Sequence, residues 1–195
     1  ALVRLDRPEE AVPYLRPALQ ANPGMHPLRD MLAQALLDSG RIDEGAAVYA
    51  EIEAQAADDF PLLQLMARFY HRAKRGYDAE RCLVRMQQLN PTHAPVYADL
   101  AHLYSDFGEY ARAIEVARDG LRLQPDSTAL LNLLANSQLN HGLVDDALQS
   151  YRRIIALAPH MAFVHSSLLL AMHYGSEIDP AELFAEHQRF GRTHT

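Results

Sequence analysis

Between residues 94 and 121 the apolar positions recur at helical spacing. Tyr97, Leu100, Ala101 and Tyr104 make one stripe, and Ala113, Ile114, Ala117 and Leu121 make a second. Gly108 stands between the stripes and Pro125 follows the second. Glycine tolerates the positive φ needed just past a helix end, whereas proline cannot continue a helix and restricts the residue before it. The pattern therefore predicts a helix, a turn, a second helix and a stop. The same signals return along the chain: Pro91, Pro125 and Pro159 are spaced 34 apart, and Pro23 continues the series if Ala57 fills the vacant place. Gly40, Gly108 and Gly142 follow the same period, with Lys74 at the open step.

Two further columns hold only small residues. Ala11, Gly45, Ala79, Ala113, Ala147 and Ala181 form one, and Ala33, Ala67, Ala101 and Ala135 form the other. They fall where the two helices of each repeat would cross, and small side chains let two backbones approach closely. The fold class expected is all-α, an array of antiparallel helix pairs.

These columns resemble the tetratricopeptide repeat. Its pattern of an aromatic, a Leu-Gly, an aromatic, an alanine, an aromatic and a proline is met at Tyr97, Leu100-Ala101, Tyr104, Ala113, Ala117 and Pro125. A second unit matches at Leu131, Leu134-Ala135, Gln138, Ala147, Tyr151 and Pro159. The resemblance implies a right-handed superhelix with repeats at 26–59, 60–93, 94–127 and 128–161, and an atypical last repeat at 162–195. Residues 1–25 would be the second helix of a truncated repeat, with Val12, Leu15 and Leu19 on the face its missing partner should cover. Terminal repeats need a polar cap. That uncovered face therefore implies a truncated array or a homo-oligomer formed through the N-terminal helix.

An array of this family presents the first helices of its repeats along a concave groove, the default ligand site. Carried onto this chain, the peptide-binding positions are Asp30, Gln34, Gln64, Arg68, Arg72, His102, Asn132 and Asn136. The fifth-position column also holds Ala98 and Ser166, the ninth Leu170, and the thirteenth Asp38, Asp106, Asn140 and Tyr174. Carboxamides and charged groups suit an extended polypeptide, whose backbone amides need donors and acceptors. The alternation of Asp38, Arg72 and Asp106 also suits charge pairing between neighbouring repeats. The lysine-asparagine-arginine clamp of chaperone-tail binders is absent, since Asp30 and Gln34 stand where it would begin. Arg68, Arg72, Lys74, Arg75, Arg81 and Arg85 make one basic stretch, read either as an anion contact or as a solvated face compensated by acidic neighbours.

Composition narrows the rest. A formal charge of -7 over 195 residues argues against a general nucleic-acid or anionic-membrane partner. No apolar run reaches membrane-spanning length. Cys82 is the only cysteine, which rules out an internal disulfide and fits a reducing, cytoplasmic setting. Ten histidines make no HExxH pair, and there is no Gly-rich phosphate loop or GxSxG. Neither metal, cofactor nor catalysis is expected of this chain.

The stretch from Ala162 to Thr195 leaves the repeat pattern at about Ser176, where "GSEIDP" replaces the glycine turn. Asp179 and Pro180 read as an N-cap and first helical residue. Leu183, Phe184, His187 and Phe190 then share a stripe. This is either a capping helix or the start of a different domain. The run Ser167, Leu168, Leu169, Tyr174, Asp179, Pro180, Glu182, Phe184, His187, Phe190 and His194 resembles the junction between repeats and catalytic domain in bacterial O-GlcNAc transferase/SPINDLY glycosyltransferases. Phe190 stands where that family has tryptophan. The resemblance implies a substrate-recruiting arm whose UDP-sugar site lies beyond Thr195. The alternative is a free-standing adaptor for assembling protein complexes.

Overall fold

A computed structural model describes residues 7–53, 56–175 and 179–194, and these are all-helical. The helices are α1 (Pro8–Ala21), α2 (His26–Asp38), α3 (Ile42–Ala50), α4 (Phe60–Arg72), α5 (Gly76–Leu89), α6 (Ala94–Asp106), α7 (Tyr110–Leu123), α8 (Thr128–Asn140), α9 (Val144–Leu157), α10 (Ala162–Tyr174) and α11 (Pro180–His194). The chain divides into two compact modules, Ala1–Pro91 and Thr92–Thr195. None of the helices is long and apolar enough to cross a membrane.

Local chemistry accounts for the helix ends. The Asp59 carboxylate accepts from the Leu62 amide at 3.0 Å and starts α4, and the Ser127 hydroxyl does the same for α8 through Leu130 at 3.4 Å. Gly40, Gly108 and Gly142 turn the chain with φ of 76°, 77° and 86°, and Lys74 takes the same turn at 57°. The vacant step in the glycine column is therefore a true left-handed turn built from lysine, at a modest backbone cost.

In the N-terminal module α1 packs on α2, α2 on α3, and α4 on α5. The small-residue columns are buried here at Ala11, Ala33, Gly45, Ala67 and Ala79. One expectation is overturned. Val12, Leu15 and Leu19 are buried within the module, because α2 packs on α1 and supplies the cover that a missing helix was expected to give. The ground for a homo-oligomer through that face falls away.

The column stepping by 34 through residues 29, 63, 97, 131 and 165 is buried throughout, as Arg29, Leu63, Tyr97, Leu131 and His165. Arg29 is only 3% exposed. Its guanidinium donates to the Val48 carbonyl at 2.5 Å and the Pro23 carbonyl at 3.0 Å, tying α2 to the end of α3. The paired carbonyls lower the penalty of burying the charge.

Cys82 is buried, and with Leu63, Met66 and Val84 it lines a cavity of about 490 Å³. Burial pushes the thiol up to about 12, and the Arg81 guanidinium opposes that shift only in part. The folded state thus holds the thiol proton more tightly than the unfolded chain, so stability is kept below the ordinary thiol range and lost as pH rises toward 12. At pH 8, Cys82 should react with a thiol-specific reagent only as fast as the module opens. Labelling in denaturant gives the unhindered rate, and an equal rate without denaturant would refute the buried, protonated thiol.

In the C-terminal module α6 packs on α7, α7 on α8, α8 on α9, and α9 on α10. Leu131, Tyr151, Ile154, Val164, Leu168 and Met172 share one core, and Ala101, Ile114, Ala117 and Leu134 a second. Ala181, placed in the first small column, is exposed. The reason is that α11 meets α10 through Leu183 and Phe190, so no close helix crossing forms at Ala181. Residues 176–178, where the repeat pattern breaks, lie outside the described residues.

Candidate functional site

The residues assigned to the groove fall on the first helices of successive pairs. In the N-terminal module these are α2 and α4, which pack on one another. Asp30, Gln34 and Asp38 lie one turn apart on α2, and Gln64, Arg68 and Arg72 lie one turn apart on α4. The two rows interlock. Arg68 Nη2 donates to Asp30 Oδ2 at 2.7 Å, and Arg72 Nη2 donates to Asp38 Oδ1 at 2.6 Å. Arg72 also donates to Gln34, and Gln34 Nε2 in turn donates to Asp30 Oδ1 at 3.3 Å. The Tyr49 hydroxyl donates to Asp30 Oδ1 at 2.9 Å. Burial first, and then the Asp30 carboxylate, raise that phenol well above its ordinary value.

Two arginines are thus matched by two aspartates on the facing helix. Three more arginines of the basic stretch are compensated too: Arg75 pairs with Asp78 at 2.7 Å, Arg81 with Glu53 and Asp78, and Arg85 with Asp58. Of the two readings of that stretch, the compensated face is the one the geometry shows. An exposed ion pair contributes roughly 0–1 kcal/mol, so these pairs arrange the surface more than they stabilise the fold. Gln64 is exposed on the same face of α4.

The C-terminal module offers a different surface. On α8, Asn132 and Asn136 are partly buried and Asn140 is exposed. Asn136 Oδ1 accepts from the Tyr151 hydroxyl at 2.6 Å, so its two amide hydrogens are the donors it has to give. His102 on α6 is exposed, with Nε2 3.6 Å from Asp106 one turn along. On α10 the corresponding face is apolar. Phe163, Leu170 and Tyr174 are 58%, 53% and 65% exposed and fall on one helical stripe. The Ser166 hydroxyl between them donates to the Ala162 carbonyl of its own helix at 3.0 Å.

Leu170 and Tyr174 belonged to the groove columns but not to the polar set chosen from them, and Phe163 was missed. The signal that could have found them is their shared stripe, since three large exposed apolar groups on one helix form a patch rather than scattered exposure.

Residues 2–69 and 98–162 each match a family model described as Tetratricopeptide repeat. No curated protein matches the chain. Among solved structures, MamA is similar at 18% identity and a TM-score of 0.66, covering 83% of this chain and 91% of its own. A thermophilic TPR protein from Thermus thermophilus is similar at 21% identity and a TM-score of 0.60, covering 88% and 94%. A mutant O-GlcNAc transferase from Thermobaculum terrenum is similar at 24% identity and a TM-score of 0.58. That match covers 68% of this chain but only 26% of the transferase chain. At these identities the likeness is one of fold.

Proposed function

Because the chain is built of tetratricopeptide repeats, we propose that it is a non-enzymatic scaffold that binds polypeptides along the first-helix faces of its repeats. The observation that carries this reading is the apolar stripe of Phe163, Leu170 and Tyr174 on α10. In the same module, Asn132 and Asn136 on α8 offer carboxamides suited to peptide backbone. Asp30, Gln34, Gln64, Arg68 and Arg72 are the proposed contacts of the N-terminal module, and His102 is a further one of the C-terminal module. Because Asp30 and Asp38 already hold Arg68 and Arg72, the segment favoured is uncharged with apolar side chains. An acidic segment of the kind bound by the similar first TPR of Spaghetti, an HSP90 peptide SRMEEVD, is disfavoured.

The test is fluorescence anisotropy with peptides selected from a random twelve-residue array, followed by Leu170→Asp and Tyr174→Ala. Each substitution should weaken binding about tenfold or more, as expected for anchors contributing over 1.4 kcal/mol. Unchanged affinity in both variants would place the site elsewhere.

A second reading makes this chain the substrate-recruiting arm of a larger, UDP-sugar-dependent protein glycosyltransferase. It is supported by the similarity to the Thermobaculum terrenum transferase and by the residues from Ser167 to His194 that resemble the family's junction. The sugar-nucleotide site would then lie in another part of that protein. Transfer from a UDP-sugar to polypeptide by the natural gene product, lost when residues 1–161 are deleted, would establish it. An inert product would leave the free-standing adaptor.

A further inference from the structure

His165, like Arg29, breaks the chemistry of its column. Leu63, Tyr97 and Leu131 hold the equivalent buried places, yet here an imidazole is 0% exposed between α10 and α11. Both of its ring nitrogens are engaged by α11. Nε2 lies 2.7 Å from Glu186 Oε1, and Nδ1 lies 3.1 Å from His194 Nε2. The Phe190 ring packs edge-on against His165 at 5.2 Å and tilted against His194 at 4.8 Å. A second pair, His173 and His187, meets across the same helices with ring centroids 6.0 Å apart. In this antiparallel pair the indices 165 and 194 sum to 359 and 173 and 187 to 360, so both pairs lie along one seam.

The proton count of that seam is limited by geometry. With both imidazoles neutral, His165 donates from Nε2 to Glu186 and accepts at Nδ1 from His194. With one more proton, the His165 imidazolium donates to both partners. With two, an N–H on each ring points into a 3.1 Å gap and two positive charges face each other. Like charges at this distance disfavour the doubly charged form. The negative charge at hand is small. Glu186 faces His165 but also lies 3.9 Å from Arg189, and Glu182 is held by Arg152 of α9 at 2.6 Å. Among the described residues little else holds α11, since none of its own residues is buried and its packing on the core is through Leu183 and Phe190.

We propose that α11 is a proton-released helix, docked on α10 while the His165–His194 pair carries at most one extra proton and undocked when the pair takes a second. The undocked state binds more protons, so docking is complete at high pH and is lost as pH falls. Release would uncover the flank of α10 that carries His165 and Leu169.

Hydrogen exchange of the full chain at pH 7.5 and 5.5, corrected for the intrinsic pH dependence of exchange and run with a chelator, reads this directly. Protection of residues 180–194 should fall by up to tenfold per pH unit for each extra proton taken up, while residues 128–157 keep theirs. In His194→Gln, whose amide bonds to His165 without titrating, α11 should stay protected at pH 5.5. Equal protection at both pH values, or loss of α8, α9 and α11 together, overturns the proposal. Should His194→Gln undock α11 at pH 7.5, imidazole NMR of the native chain decides. His165 and His194 titrating as one coupled pair in two steps supports release, and independent single-step titrations refute it.

Discussion

Phe69→Ala is expected to destabilise the N-terminal module by about 3–5 kcal/mol, the cost of removing a buried aromatic ring that its surroundings cannot replace. Phe69 is fully buried, with Tyr49 and Tyr70 rings at 5.3 and 5.4 Å. Opposite it stands Gly45, where an added Cβ would lie 2.8 Å from Phe69 Cζ. Gly45 has no side chain that could swing into the space a missing ring would leave, so the cavity persists. A folded domain is stable by roughly 5–15 kcal/mol, so this one change removes a large share. Two modules unfold here, and one apparent transition should not be assumed. Hydrogen exchange over 26–89 therefore gives the cleaner reading. Phe69→Leu, which keeps most of the volume, should cost less than about 1.5 kcal/mol. A loss under 1 kcal/mol in the alanine variant would mean that the packing around Gly45 is not as described.

Ala113→Leu carries the second large effect, in the opposite sense of volume. Ala113 is fully buried on α7, in the column whose small members let paired helices meet. Ala101, also fully buried, sits on the facing helix α6. Three added carbons must displace a backbone or force a side chain off its rotamer, at about 1–3 kcal/mol. In a module of about 100 residues each kcal/mol lowers the thermal midpoint by about 4–8 °C. Ala111→Leu, exposed on the same helix, should change stability by no more than about 0.5 kcal/mol. If Ala113→Leu melts with the wild type, the helix register on which the whole repeat alignment rests is wrong.

The odd member of the alanine column acquires its reason from the same contact. Ala11, Ala79, Ala113 and Ala147 share that column with Gly45, and the period alone gives no cause for the glycine. One period-step column holds Ala35, Phe69, Leu103, Ser137 and Ala171, and its bulkiest member is the ring that fills the space before Gly45. A glycine in one helix and a phenylalanine in the next are two halves of one packing solution.

The charged face reads similarly. The columns placed Asp30, Gln34 and Asp38 opposite Gln64, Arg68 and Arg72, and pairing between neighbouring repeats was among the expectations. That Arg68 and Arg72 are committed to Asp30 and Asp38 follows from α2 packing on α4. The commitment moves the search for a peptide anchor to the apolar stripe of α10.

By itself, the sequence determined the helices, the turns, the period and the small columns. Those properties are local or strictly repeated, so φ preference, helix-stopping proline and apolar spacing report them one residue at a time. Even the lysine turn at residue 74 was legible, because the period left a place that some residue had to fill. Only the tertiary structure decided that α2 covers Val12, Leu15 and Leu19, that Arg29 and His165 are buried where other repeats place Leu63, Tyr97 and Leu131, and that two histidine pairs seal α11 to α10. Whether a side chain is buried, and which partner satisfies it, depends on the volume and polarity of residues brought from elsewhere in the chain. A linear pattern names the column a residue belongs to, and the neighbouring helices determine what that position can do.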